Sequence, residues 1–146
     1  REKAPAAICR KVIEAGISGK KEIMIWGDGL QTRSFMFIDD CIKGIQEIMY
    51  SNINEPLNLG SSEMVSINQL VNIVGEIAGY QLERKYDLSA PKGVRGRNSE
   101  NTLIRKYLNW EPSIPLRTGM KKTYDWIKEQ MLAGSSDRKK NDRFKR

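Results

Sequence analysis

Between Trp26 and Asp40 the chain reads Trp-Gly-Asp-Gly-Leu-Gln-Thr-Arg-Ser-Phe-Met-Phe-Ile-Asp-Asp, and this order leaves few folds open. Two glycines spaced by one residue interrupt any helical pattern. Ile23 and Ile25 alternate with other residues before the turn, as in a short half-buried strand, and a second strand is expected from Arg33 to Ile38. Asp39 then suits the N-cap of a helix. A chain that turns from strand to strand to helix in so few residues belongs to the α/β class. The turn also carries chemistry, because glycine lets backbone approach a ligand and the Arg33 guanidinium presents a rigid fork of donors that fits phosphate oxygens. On these residues alone, a strand-end arginine paired with Asp28 or Asp39 remains the competing reading.

The rest of the chain alternates in the same way. Pro5 stands where a first helical turn tolerates it, and Ile8, Val12 and Ala15 follow at helical spacing, which predicts a helix ending near Gly16. After Asp39 the apolar stripe is Ile42, Ile45, Ile48 and Met49. Pro56-Leu57-Asn58-Leu59-Gly60 reads as a buried strand. Ser66-Ile67-Asn68-Gln69 matches a capping box, with Ile67, Leu70, Val71, Val74 and Ala78 on one face and Gly79 as the stop. A strand near Leu82 to Tyr86, a loop from Ala90 to Asn98, a helix with Leu103, Tyr107 and Leu108, and a last helix striped by Met120, Tyr124, Ile127 and Met131 complete the pattern. The expected architecture is small sheet segments covered by helices.

Composition removes several function classes. The chain has 146 residues and no histidine, so imidazole metal sites and Ser-His-Asp catalysis are excluded, and no metal is expected. Cys9 and Cys41 are far apart, which suits a reducing compartment, and the cytoplasm is the expected location. No apolar run is long enough for a membrane span. The net charge of +7 raises the alternative of a basic nucleic-acid-binding module, but Asp137 to Arg146, with six basic and two acidic residues, supplies four of those charges. The run follows Ala133-Gly134-Ser135-Ser136, so residues 133–146 are expected to be a solvated, disordered tail with no nucleic-acid role. The chain opens with Arg1 and lacks a Gly-x-Gly-x-x-Gly turn between a strand and a helix, so it is expected to lack a dinucleotide-binding unit and to be part of a longer protein.

Five segments together carry a likeness: Arg1-Glu2-Lys3-Ala4-Pro5-Ala6-Ala7, the Trp26 to Asp39 stretch, Asn58-Leu59-Gly60-Ser61, Gly93-Val94-Arg95-Gly96-Arg97-Asn98-Ser99 and Leu108-Asn109-Trp110-x-Pro112. In this order and spacing they resemble the extended short-chain dehydrogenase/reductases of the NAD-dependent epimerase/dehydratase type. The likeness runs from Arg1 to about Met131. It implies an α/β fold in which residues 1–132 form the substrate-binding C-terminal portion, while NAD is held by a Rossmann domain outside this chain. It implies a nucleotide-sugar substrate, GDP-mannose among those of the group, a homodimer at full length, and an epimerase that this fragment alone would not complete. Another epimerase or a 4,6-dehydratase of the same family is the alternative.

The likeness also assigns roles. Lys3 is the implied catalytic proton carrier, with Glu2 and Ala4 beside it on the sugar. Lys11 is placed on the substrate, and Gln31, Thr32 and Arg33 line the diphosphate together with Arg97 from a separate loop. Gly96, between Arg95 and Arg97, suggests backbone bent closely about a ligand. Tyr124 and Lys128 have the Tyr-x-x-x-Lys spacing of the family's catalytic pair, but Tyr124 belongs to an apolar stripe and is expected in the core.

Overall fold

The computed structural model describes residues 3–91 and 93–143; of residues 134–143 only the backbone is described. The elements in order are α1 (Ala4–Ser18), β1 (Glu22–Trp26), β2 (Thr32–Ser34), α2 (Ile38–Met49), β3 (Met64–Ser66), α3 (Ile67–Ala78), β4 (Glu83–Asp87), β5 (Gly96–Arg97), α4 (Thr102–Leu108) and α5 (Leu116–Arg143). The arrangement is the expected α/β one of small sheets and covering helices. β1 pairs in parallel with β4, and β2 lies between antiparallel β3 and parallel β5.

Three helices and two strands build the core, β3 contributing Val65. Ile8, Cys9, Val12 and Ile13 of α1 meet Leu70, Val71 and Val74 of α3, Met120 and Tyr124 of α5, and Ile23 and Ile25 of β1. Each fully buried aliphatic side chain contributes about 1.5–3 kcal/mol by leaving water. α3 is held from its first turn: the Ser66 hydroxyl accepts from the Gln69 amide at 3.1 Å, and the Gln69 side chain accepts from the Ser66 amide at 2.7 Å. That capping box and the Gly79 stop, at φ 82°, follow the sequence reading.

Other elements depart from expectation. α1 runs past Gly16 to a left-handed Gly19 (φ 72°). Gly16 is a site of close approach instead, where a Cβ would meet the Tyr80 hydroxyl, itself donating to the Val12 carbonyl. β2 ends at Ser34, and α2 takes Phe37 as its N-cap, so Asp39 falls in the first turn. The next residue is the anchor: buried Asp40 accepts from the Ser113 and Ile114 amides at 2.8 and 2.7 Å. α2 rests on the fold through buried Gly44, where a Cβ would meet Leu59 and Trp110. Ile42, Ile45 and Met49 of the expected stripe are exposed. The segment 56–60 is irregular, since no described strand runs beside it to accept its ladder bonds.

The terminal helix α5 has its backbone described to Arg143. Residues 144–146 lie outside the described part. Among the described residues, no helix is long and apolar enough to cross a membrane, and no group of three metal-ligating side chains occurs.

Candidate functional site

The sheet around β2 brings the two predicted arginines together. β2 and β5 run in parallel with Thr32 opposite Gly96 and Arg33 opposite Arg97, so the paired arginines share one face although 64 positions separate them. They line an open cleft of about 310 Å³ with Ser34, Asn58, Leu59, Asn98 and Ser99. The strands approach closely at Gly96, where a Cβ would lie 2.8 Å from the Thr32 hydroxyl oxygen. Gly96 is therefore a sheet-packing residue, and the loop bends instead at Gly93 (φ 68°).

Arg33 also holds the loop that precedes β5. Its Nη1 donates to the Thr32 carbonyl and its Nη2 to the Val94 carbonyl, both at 2.6 Å, while the Thr32 amide donates to the Arg95 carbonyl at 2.9 Å. Of the two carboxylates considered as partners for Arg33, Asp39 pairs with Lys122 at 3.3 Å, and Asp28 accepts from the Leu30 amide at 2.9 Å. Arg97 is exposed on its two-residue strand.

A second cleft, about 540 Å³, lies between α1 and β1 and is lined by Ala4, Ala7, Lys11, Met24, Trp26 and Gln31 among others. Ala4 and Lys11 are two helical turns apart and reach it from one face of α1. Lys11 Nζ donates to the Met24 carbonyl at 2.8 Å. Burial pulls its ammonium pKa below the usual lysine value, with the neighbouring Arg10 charge adding to the effect. Gln31 Nε2 donates to the Trp26 carbonyl at 3.2 Å, and its Oε1 is buried without a protein partner. Gln31, which lines this cleft, thus keeps one acceptor with unused hydrogen-bond capacity.

The other predicted residues fall differently. Lys3 is the exposed N-cap of α1, its carbonyl accepting from the Ala7 amide at 3.0 Å, and it lines neither cleft. Glu2 lies outside the described residues. Thr32 contributes backbone and packing between the clefts. Ser34, Asn58, Leu59, Asn98 and Ser99 line the cleft without having been predicted, since the long-range pairing of β2 with β5 and hydrogen bonds such as Asn58 Nδ2 to the Glu100 carbonyl bring them together. Tyr124 is buried, and burial raises its phenol pKa above the ordinary value, with Lys128 Nζ 5.9 Å from the ring centroid. A core tyrosine with a raised pKa is no activated acid, and the Tyr-x-x-x-Lys spacing here is packing. Cys9 is fully buried with its thiol pushed up to about 12, which makes it inert. The Gly27–Gly29 turn leads into β2, with Asn68 packed against Gly29, so it offers no helix N-terminus to a dinucleotide pyrophosphate.

An α/β scaffold of this order, carrying β2 between an antiparallel and a parallel neighbour, has the fold of the C-terminal portion of an extended short-chain dehydrogenase/reductase. It superposes on UDP-glucose 4-epimerase of Thermotoga maritima, solved with UDP-glucose, with a TM-score of 0.78 and 28% identity over 88% of this chain and 40% of that one. A model of the NAD dependent epimerase/dehydratase family matches residues 1–60. GDP-mannose 3,5-epimerase 1 of Oryza sativa subsp. indica is 47% identical over 131 residues, 90% of this chain and 33% of that protein. GDP-mannose 3,5-epimerase of Arabidopsis thaliana is 47% identical over the same shares. The chain belongs to the NAD-dependent epimerase/dehydratase family. It spans about a third of the length of the curated relatives it matches.

Proposed function

We propose that this chain forms the nucleotide-sugar-binding portion of an NAD-dependent epimerase whose substrate is GDP-mannose or a close relative of it. The observation that carries the reading is the register of Arg33 against Arg97 over a cleft that also holds Asn58 and Ser99. Two guanidiniums on one sheet face suit two phosphates, and charge-assisted hydrogen bonds to phosphate are the strong ones. The neighbouring α1–β1 cleft, with Trp26, Lys11 and the unpartnered acceptor of Gln31, suits the rest of a nucleotide. The 47% identity to two GDP-mannose 3,5-epimerases favours GDP-mannose over the UDP sugars.

NAD supplies reversible sugar oxidation in this family, but the described residues hold no glycine-rich turn that feeds a helix N-terminus for a dinucleotide, so this chain's part is binding and proton transfer. Lys3, at the exposed entrance of α1, is the proposed proton carrier at a sugar carbon. The isolated chain is proposed to be inactive, and the active protein to be a cytoplasmic homodimer in which residues 1–132 bind substrate. In that protein Lys3→Met keeps nucleotide-sugar binding and loses solvent deuterium exchange into the sugar, because positioned proton transfer is worth about 10²–10⁴-fold in rate. Undiminished exchange in the variant removes Lys3 from the role.

A further inference from the structure

The wall of the anion cleft that carries Arg97 is paired with β2 and is tied to the 58–61 segment through one buried side chain. Asn101 is 3% exposed and precedes α4, yet its side chain makes no helix-capping bond. Glu100 takes that work, accepting from the Thr102 amide at 2.9 Å. Asn101 is left to join two distant segments: its Nδ2 donates to the Gly60 carbonyl at 2.9 Å and to Glu111 Oε2 at 3.4 Å, and its Oδ1 accepts from the Ser99 hydroxyl at 2.7 Å. The Ser99 amide donates to the Ser61 carbonyl at 3.4 Å, and Asn58 Nδ2 to the Glu100 carbonyl at 3.3 Å. Ser99 is two residues from Arg97, and Gly60 two from Asn58, so this network sets the separation of the cleft's two walls.

We propose that Asn101 is a positioning residue for diphosphate binding: it clamps the 97–99 segment to the 58–61 segment so that Arg97 and Asn58 face one phosphate-bearing group. The inference rests on reading the Arg33–Arg97 cleft as the diphosphate site. An exposed arginine on a two-residue strand has rotamer freedom to lose on binding, and a fixed wall reduces that cost. The clamp acts on phosphate affinity alone, because Asn101 does not line the α1–β1 cleft.

The test compares GDP with guanosine, titrated into the 146-residue chain and followed by amide chemical shifts, with a melting temperature for every variant. Arg97→Ala is expected to lower the GDP-to-guanosine affinity ratio about tenfold. Asn101→Ala is expected to lower it roughly threefold to tenfold, the equivalent of one net hydrogen bond, with guanosine affinity unchanged. If Arg97→Ala leaves the ratio at its wild-type value, the diphosphate reading itself fails. If Arg97→Ala lowers the ratio while a folded Asn101→Ala keeps it, or weakens both ligands equally, Asn101 is a structural residue only and the proposal is overturned. Should Asn101→Ala not fold, Asn101→Ser decides, since one short hydroxyl cannot reach both Gly60 and Ser99; an unchanged ratio in that variant also overturns the proposal.

Discussion

Arg33 and Arg97 differ in how they use their donors. Arg33 already satisfies the Thr32 and Val94 carbonyls, so Arg33→Ala both weakens nucleotide binding and frees the loop before β5, and its melting temperature falls. Arg97 is exposed, so Arg97→Ala is expected to weaken GDP binding about tenfold with little change in melting temperature, checked by titration beside thermal denaturation. Cys9 gives a pH prediction. Its thiol is raised from 9.0 to about 12 in the folded chain, so the unfolded chain releases that proton first. The stability this contributes is fully present below pH 9.0 and is lost as pH rises through the folded value near 12. Cys9→Ala should flatten that slope in urea unfolding above pH 9.0; an identical slope in the variant contradicts the assignment.

At the scale of elements, the fold hangs on a few local anchors whose removal has a stated cost. Asp40→Ala leaves the buried amides of Ser113 and Ile114 without an acceptor and is expected to cost about 2–3 kcal/mol in urea unfolding. Ser66→Ala removes half of the α3 capping box and is expected to cost about 1 kcal/mol. α3 was legible in the sequence because its cap, stripe and stop all lie within 14 residues, Ser66 to Gly79. α1, β1, β4 and the Met120–Met131 face were readable from their local period, although the glycine signal placed the end of α1 at Gly16 and the helix runs on to Ser18. The 56–60 segment was not: its composition reads as strand, but a strand exists only beside a partner. The Ile42–Met49 stripe shows the same limit, because periodicity reports amphipathicity without saying what covers it. In the candidate site, Arg33 and Arg97 were singled out from their chemistry and family likeness, and the fold sets them opposite each other. Asn58, Ser99 and Asn101 owe their places to hydrogen bonds spanning about 40 positions, which no local pattern encodes.

Across the whole molecule, the proposed substrate cleft stands beside a Gly27–Gly29 turn that feeds a strand and cannot hold a dinucleotide. NAD titrated calorimetrically into the chain is therefore expected to give no saturable heat in the micromolar range, because the Gly27–Gly29 turn feeds a strand and lacks a helix N-terminus. The positive charge of the chain does not alter this, since a cation-rich surface attracts any polyphosphate in a salt-dependent way, whereas a built site saturates. The most direct measurement is a titration of GDP-mannose into the isotopically labelled chain at 0.15 M salt, with UDP-glucose as the comparison. Saturable shifts are expected, confined to the amides of residues 31–34, 58–61 and 96–99 and the α1–β1 cleft, stronger for GDP-mannose than for UDP-glucose and weakened about tenfold by Arg97→Ala. Shifts that fail to saturate, spread over the basic surface, or persist unchanged in Arg97→Ala would contradict the proposed site.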